Sequence, residues 1–107
     1  MHEKKTRRLA AIMFTDIVGY TALMHGDEAV ATTARARHRA VFRQQHELHH
    51  GEIVQYYGDG TLSVFQSAIE AAKCAVAIQR LLREGEPLPL RIGLHMGPVR
   101  VVSDLNE

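Results

Sequence analysis

The stretch EIVQYYGDGTLSVF, residues 52–65, sets two β-prone runs on either side of Gly58-Asp59-Gly60. β-Branched and aromatic residues crowd both runs, and an Asp-Gly step suits a tight turn with positive φ. It reads as a β-hairpin with an acid at its tip. Upstream, the segment from Glu28 to about His50 holds no Gly or Pro; Asp27 can cap its start and Gly51 can close it. Val30, Ala34, Val41, Phe42 and Leu48 recur there at helical spacing as one apolar stripe, with Arg35, Arg37, Arg39 and Arg43 mostly away from it. Farther upstream, LAAIMFTDI (9–17) is almost wholly apolar and ends in turn chemistry, the pattern of a buried strand. Downstream, Ser67 and Glu70 have the spacing of a capping box. Ala68, Ala71, Ala72, Ala75, Ile78 and Leu82 then mark a helical face that Gly85, Pro87 and Pro89 terminate. LRIGLHMGPVRVV (90–102) completes the set as a strand, interrupted at Gly97-Pro98.

The order strand, helix, strand, strand, helix, strand is the ferredoxin-like βαββαβ pattern. It predicts an α+β fold with an antiparallel-type sheet covered by helices on one face. The strand–helix–strand crossover makes the first two strands parallel, so both finish at one edge of the sheet. Asp16 finishes the first and Gly58-Asp59 the second. With the third strand between them, as in the ferredoxin-like arrangement, the hairpin tip comes close to the first strand's end and two acids far apart in sequence meet. Two like charges about 4 Å apart repel by roughly 1 kcal/mol in water and roughly 4 kcal/mol at an intermediate effective dielectric. Such a pair calls for a shared proton or a cation, and a divalent ion with oxygen ligands is the natural choice. Gly19, just past Asp16, lets the chain turn and present N–H groups able to cradle phosphate oxygens.

Composition narrows the classes. The 107 residues, 46% hydrophobic and 23% charged, describe one ordinary globular domain, and the net charge of +1 gives no general attraction to nucleic acid or membrane. No apolar run approaches the roughly 18–20 residues of a membrane span, and no signal-type segment opens the chain. A lone Cys74 excludes an internal disulfide and fits a reducing cytoplasm. The basic opening MHEKKTRR (1–8) reads as a solvated lead-in to a domain over 9–107.

Taken together, AIMFTDIVGYTALM, GEIVQYYGDGTLSVF and LRIGLHMGPV resemble the class III nucleotidyl cyclase (adenylate/guanylate cyclase) catalytic domain, from about residue 9 to 102. The resemblance implies attack of a ribose 3′-oxygen on the α-phosphorus of ATP or GTP, with pyrophosphate leaving. It implies two ions, Mg2+ or Mn2+, with Asp16 and Asp59 as the metal aspartates and the Ile17 carbonyl as a further ligand. The turn Val18, Gly19, Tyr20, Thr21 would lie against the phosphates. Gln55 occupies the base-reading position, where adenylyl cyclases of the family carry lysine and guanylyl cyclases glutamate. An amide both donates and accepts, so Gln55 suits either purine edge. The family places a second base-reading residue and a transition-state asparagine and arginine beyond the point where this sequence stops, and builds its site across a head-to-tail homodimer. This segment is accordingly expected to hold the metal half of a site and to turn over poorly alone. An inactive regulatory or dimerisation module with the same fold is the alternative.

Other chemistry is weaker. His46, His49 and His50 lack an accompanying carboxylate motif and read as polar helix-end residues, favourable to the dipole. His95 reads as a hydrogen-bonded strand residue, Cys74 as buried and inert, Met13, Met24 and Met96 as packing residues, and Thr61 and Ser63 as hydroxyls without a paired base. An RNA-recognition module shares the element order, but GTLSVF has only Phe65 and no basic residue with which to stack and hold bases. A diguanylate-cyclase-like enzyme would carry a GGDEF-like hairpin where this chain has Gly58-Asp59-Gly60.

Overall fold

The computed structural model describes residues 5–102, with side chains described for 8–100. Its elements are β1 (Lys5–Ile17), α1 (Tyr20–Gly26), α2 (Glu28–Leu48), β2 (Glu52–Tyr56), β3 (Gly60–Phe65), α3 (Ala68–Arg83) and β4 (Leu90–Val102). The sheet order is β2-β3-β1-β4, every neighbouring pair antiparallel. This is the expected ferredoxin-like sheet. The short helix α1 was not anticipated, and β1 begins at Lys5, inside the basic opening stretch.

Alternation along the central strand sorts the two faces. Ala11, Met13, Thr15 and Ile17 of β1 are buried under the helices, as are Thr61, Ser63 and Phe65 of β3. Phe42 from α2 and Ala71, Cys74, Ile78 and Leu82 from α3 complete this core. Each large side chain buried there contributes about 2 kcal/mol through area removed from water. The opposite face of the sheet carries no helix among the described residues, and Phe14 and Val54 stand roughly half exposed on it.

Both expected caps form. Asp27 accepts from the N–H groups of Ala29 and Val30, and Ser67 accepts from Glu70. At the far end of α2 the left-handed residue is His50 (φ 60°), and Gly51 N–H closes back on the His46 carbonyl at 2.8 Å. Gly51 is required for space: a Cβ there would lie 2.5 Å from the His46 ring and 2.6 Å from the Phe65 ring.

Three expectations need correction. The interruption at Gly97-Pro98 is absent, because β4 runs through it with Pro98 opposite Leu9. β4 is an edge strand, and a proline whose missing N–H points off the sheet costs no ladder bond. The hairpin turn holds no positive-φ residue; it closes instead by Tyr57 N–H to the Gly60 carbonyl at 2.8 Å. Finally, Val30 and Leu48 of the anticipated apolar stripe are exposed, while His38, Gln45 and His46 are buried. The covered sheet face presents hydroxyls, so the helix over it supplies polar partners rather than a wholly apolar stripe.

Candidate active site

At the end of β1, register opposes Asp16 to Gly60 on β3, and Ile17 donates its N–H to the Asp59 carbonyl at 2.9 Å. The two acids therefore belong to one corner of the sheet. Both line a hollow of about 340 Å³ with Phe14, Thr15, Tyr57, Gly60, Thr61, Arg91 and Gly93. The close approach depends on Gly60, where a Cβ would stand 2.5 Å from the Thr15 carbonyl oxygen. A larger hollow of about 710 Å³ lies behind β1, between α1, α2 and the segment 86–89. It touches Ile17, Val18 and Gly19 but neither acid.

A cation does meet Asp16. Arg91, opposite it on β4, donates from Nε at 3.0 Å and Nη2 at 2.8 Å, a bidentate pair. The hydrogen bonds from Arg91, aided by its charge, hold the Asp16 carboxyl below the usual carboxylate range despite the opposing effect of burial. The sequence reading missed Arg91. Its signal was available only through pairing: once β4 runs antiparallel to β1 with Leu90 opposite Ile17, the next residue must face Asp16.

The turn after Asp16 has the left-handed glycine expected of it, Gly19 at φ 74° and ψ 17°, which leads directly into α1. Val18 N–H is already taken by the Pro89 carbonyl at 3.1 Å, and Leu23 is the first residue to bond back, to Gly19. The N–H groups of Tyr20 and Thr21, in the first turn of α1, have no acceptor within their own helix. Gln55 lies on β2 opposite Leu62, after a register shift beginning at Ile53. Leu62 in turn opposes Phe14 on β1, so Gln55 stands two strands, roughly 10 Å, from the strand that carries Asp16. The structure brings Asp16 and Asp59 together and leaves Gln55 farther along the sheet.

Helix α2 braces this corner from behind. His38 Nε2 lies 3.1 Å from Thr15 Oγ1, which lies 2.6 Å from Thr61 Oγ1. Arg39 donates to the Tyr57 carbonyl at 3.0 Å, with its guanidinium 4.7 Å from the Tyr56 ring centroid. Arg37 donates to the carbonyls of Leu81, Glu84 and Glu86, fastening the α3–β4 connection. Burial, reinforced by the charge of Arg39 and only partly offset by Asp59, lowers the His38 pKa to about 4.

His46 corrects a further expectation. It is not a solvated helix-end residue: it is buried, contacts the Phe42 carbonyl at 2.7 Å and Ser63 Oγ at 2.7 Å, and packs against the Phe42 and Phe65 rings. Thr61 and Ser63 thus do have histidines within reach, His38 through Thr15 and His46 directly. Both hydroxyls are fully covered, which rules them out as nucleophiles toward an outside substrate. Cys74 is buried as expected, with its thiol pushed up to about 12 by burial and the nearby Glu70 charge. His95 is exposed on β4 opposite Ile12. Among the described residues, no cluster of three or more His, Cys, Asp or Glu side chains is placed to hold a metal, and no helix is long and apolar enough to cross a membrane.

Residues 2–104 match the family described as adenylate and guanylate cyclase catalytic domain, and the chain belongs to that family. A Rhizobium meliloti (strain 1021) protein named "Putative adenylate cyclase 3" is 39% identical over 112 residues, covering 96% of this chain and 19% of that protein. Among solved structures, the adenylate/guanylate cyclase/hydrolase from Silicibacter pomeroyi superposes with a TM-score of 0.78 at 30% identity, over 92% of this chain and 62% of that one. The adenylyl cyclase CyaB from P. aeruginosa shares the fold with a TM-score of 0.79 at 20% identity, over 91% of this chain and 60% of that one. The chain thus spans about a fifth of the curated relative and about three-fifths of these two structures.

Proposed function

We propose that this segment supplies the carboxylate half of a nucleotidyl cyclase site that converts ATP or GTP to the 3′,5′-cyclic nucleotide and pyrophosphate. The observation that carries the reading is the meeting of Asp16 and Asp59 in one hollow, 43 positions apart in sequence and joined through the Ile17–Asp59 backbone bond. The donor set fits a hard divalent cation, since it offers carboxylate and carbonyl oxygens, and Asp16 already holds a cationic group in Arg91. Asp16, Asp59 and the Ile17 carbonyl would hold Mg2+ or Mn2+, which when bound supplies the charge that acidifies the 3′-hydroxyl and offsets the triphosphate.

The chain's own groups then divide the remaining work. Arg91 neutralises Asp16, and its guanidinium at the rim of the hollow is matched to phosphate oxygens. The Val18–Thr21 turn meets the phosphates through its N–H groups, with Val18 itself engaged by Pro89. Gln55 reads the base by accepting and donating along a purine edge. The homodimer is proposed on the open, partly apolar sheet face; one structural neighbour is described as a non-canonical dimeric guanylyl cyclase domain. The covered thiol of Cys74 is compatible with a reducing cytoplasm, the proposed location.

The test is cyclic nucleotide formation by the full-length gene product with manganese and ATP or GTP. Asp16→Ala and Asp59→Ala are each expected to lower the rate by at least about a hundredfold. Undiminished turnover in both variants defeats the assignment. Titration of this 107-residue segment with manganese and a non-hydrolysable triphosphate separates a cyclase half from a module without a nucleotide role, which would give no metal-dependent heat.

A further inference from the structure

We propose that His38 is a positioning residue for the Asp16–Asp59 pair, acting through the hydroxyls of Thr15 and Thr61. The inference deepens the reading above and rests on it. Thr15 immediately precedes Asp16, and Thr61 lies two residues after Asp59; the two threonines oppose one another across β1 and β3. Their hydroxyls sit 2.6 Å apart on the covered face of the sheet, directly behind the hollow that the acids line. A Thr15 hydroxyl has one hydrogen and can accept a second, so with His38 Nε2 at 3.1 Å the three groups close a single chain of hydrogen bonds. Thr15 is 5% exposed, Thr61 2% and His38 1%, so water does not substitute for any member.

An apolar trio would serve packing at least as well. Replacing both partners of a buried hydrogen bond by apolar groups of the same shape is close to neutral, and valine is nearly the shape of threonine. The polar trio adds direction instead: it fixes the separation and twist of β1 and β3 at the residues beside the two acids. The same helix carries a built-in comparison. His46 reaches Ser63 at 2.7 Å, but Ser63 opposes Met13, one step farther from the acids along the covered face. The two arrangements share burial and chemistry and differ in distance from the corner.

Mn2+ binding to this chain, read by electron paramagnetic resonance, tests the inference without requiring turnover. His38→Leu and Thr15→Val are each expected to weaken Mn2+ binding by about tenfold, the low end of what losing a supporting partner costs a metal site. His38→Gln, whose amide reaches the Nε2 position, is expected to stay within about twofold of the parent, and Ser63→Ala likewise, even if it melts earlier. If His38→Leu fails to fold, Thr15→Val and Thr61→Val carry the comparison. Unchanged affinity in the folded His38 and Thr15 variants overturns the inference, as does an equal loss in Ser63→Ala. Binding that is absent from the parent chain, or indifferent to Asp16→Ala and Asp59→Ala, overturns the reading of the site itself and this inference with it.

Discussion

His38 is held neutral in the fold, and that choice has a measurable consequence. Its folded pKa of about 4 lies below the ordinary value of 6.5, mainly through burial. Between those values the unfolded chain takes up a proton that the native state refuses, so stability is complete above pH about 6.5 and falls as the pH drops toward 4. The contribution at stake is of order 3 kcal/mol. His46 is shifted in the same direction by burial, opposed by its bond to the Phe42 carbonyl. Urea unfolding at pH 7 and pH 5 should show the parent losing stability on acidification and His38→Gln losing distinctly less; equal losses would assign the effect elsewhere. Gly60 is the second decisive residue. Gly60→Ala drives a methyl group against the Thr15 carbonyl, which neither strand can relieve without parting. A loss of about 1–3 kcal/mol is expected, together with weakened Mn2+ binding as the acids separate.

The elements show what can be read without coordinates. The hairpin, both helix caps and the strand order follow from local chemistry and topology: Asp27 and Ser67 cap as their spacing implies, and a crossover fixes which strand ends share an edge. That sufficed to bring Asp16 to Asp59. The buried face of α2 was not legible, because His38 and His46 look like surface residues until the hydroxyls across from them are known. Arg91 was hidden for a similar reason. It joins Asp16 only through a strand register 75 residues away, which periodicity does not encode. The mid-strand glycine-proline step misled in the opposite direction, since a break signal is harmless on an edge. Three consecutive residues of α2 then fasten three different parts of the molecule: Arg37 the α3–β4 connection, His38 the central strands and Arg39 the hairpin base.

In the molecule as a whole, one sheet face is covered and the other presents Phe14 (52% exposed) and Val54 (54% exposed) around a shallow hollow of about 590 Å³. Exposed apolar area of this kind favours association. Sedimentation velocity should find the chain self-associating with rising concentration, and Val54→Lys shifted toward monomer; an unaffected distribution would remove that face from the interface. The sheet order has a further consequence for the order of events during synthesis. Central strand β1 is made first, yet both its neighbours, β3 and β4, are made later. Asp16 leaves the ribosome 75 residues ahead of Arg91, an interval of roughly 4–15 s at typical elongation rates. For that time the central strand of the molecule has no finished sheet to join, so the nascent chain, rather than the folded one, is the form that most needs a chaperone.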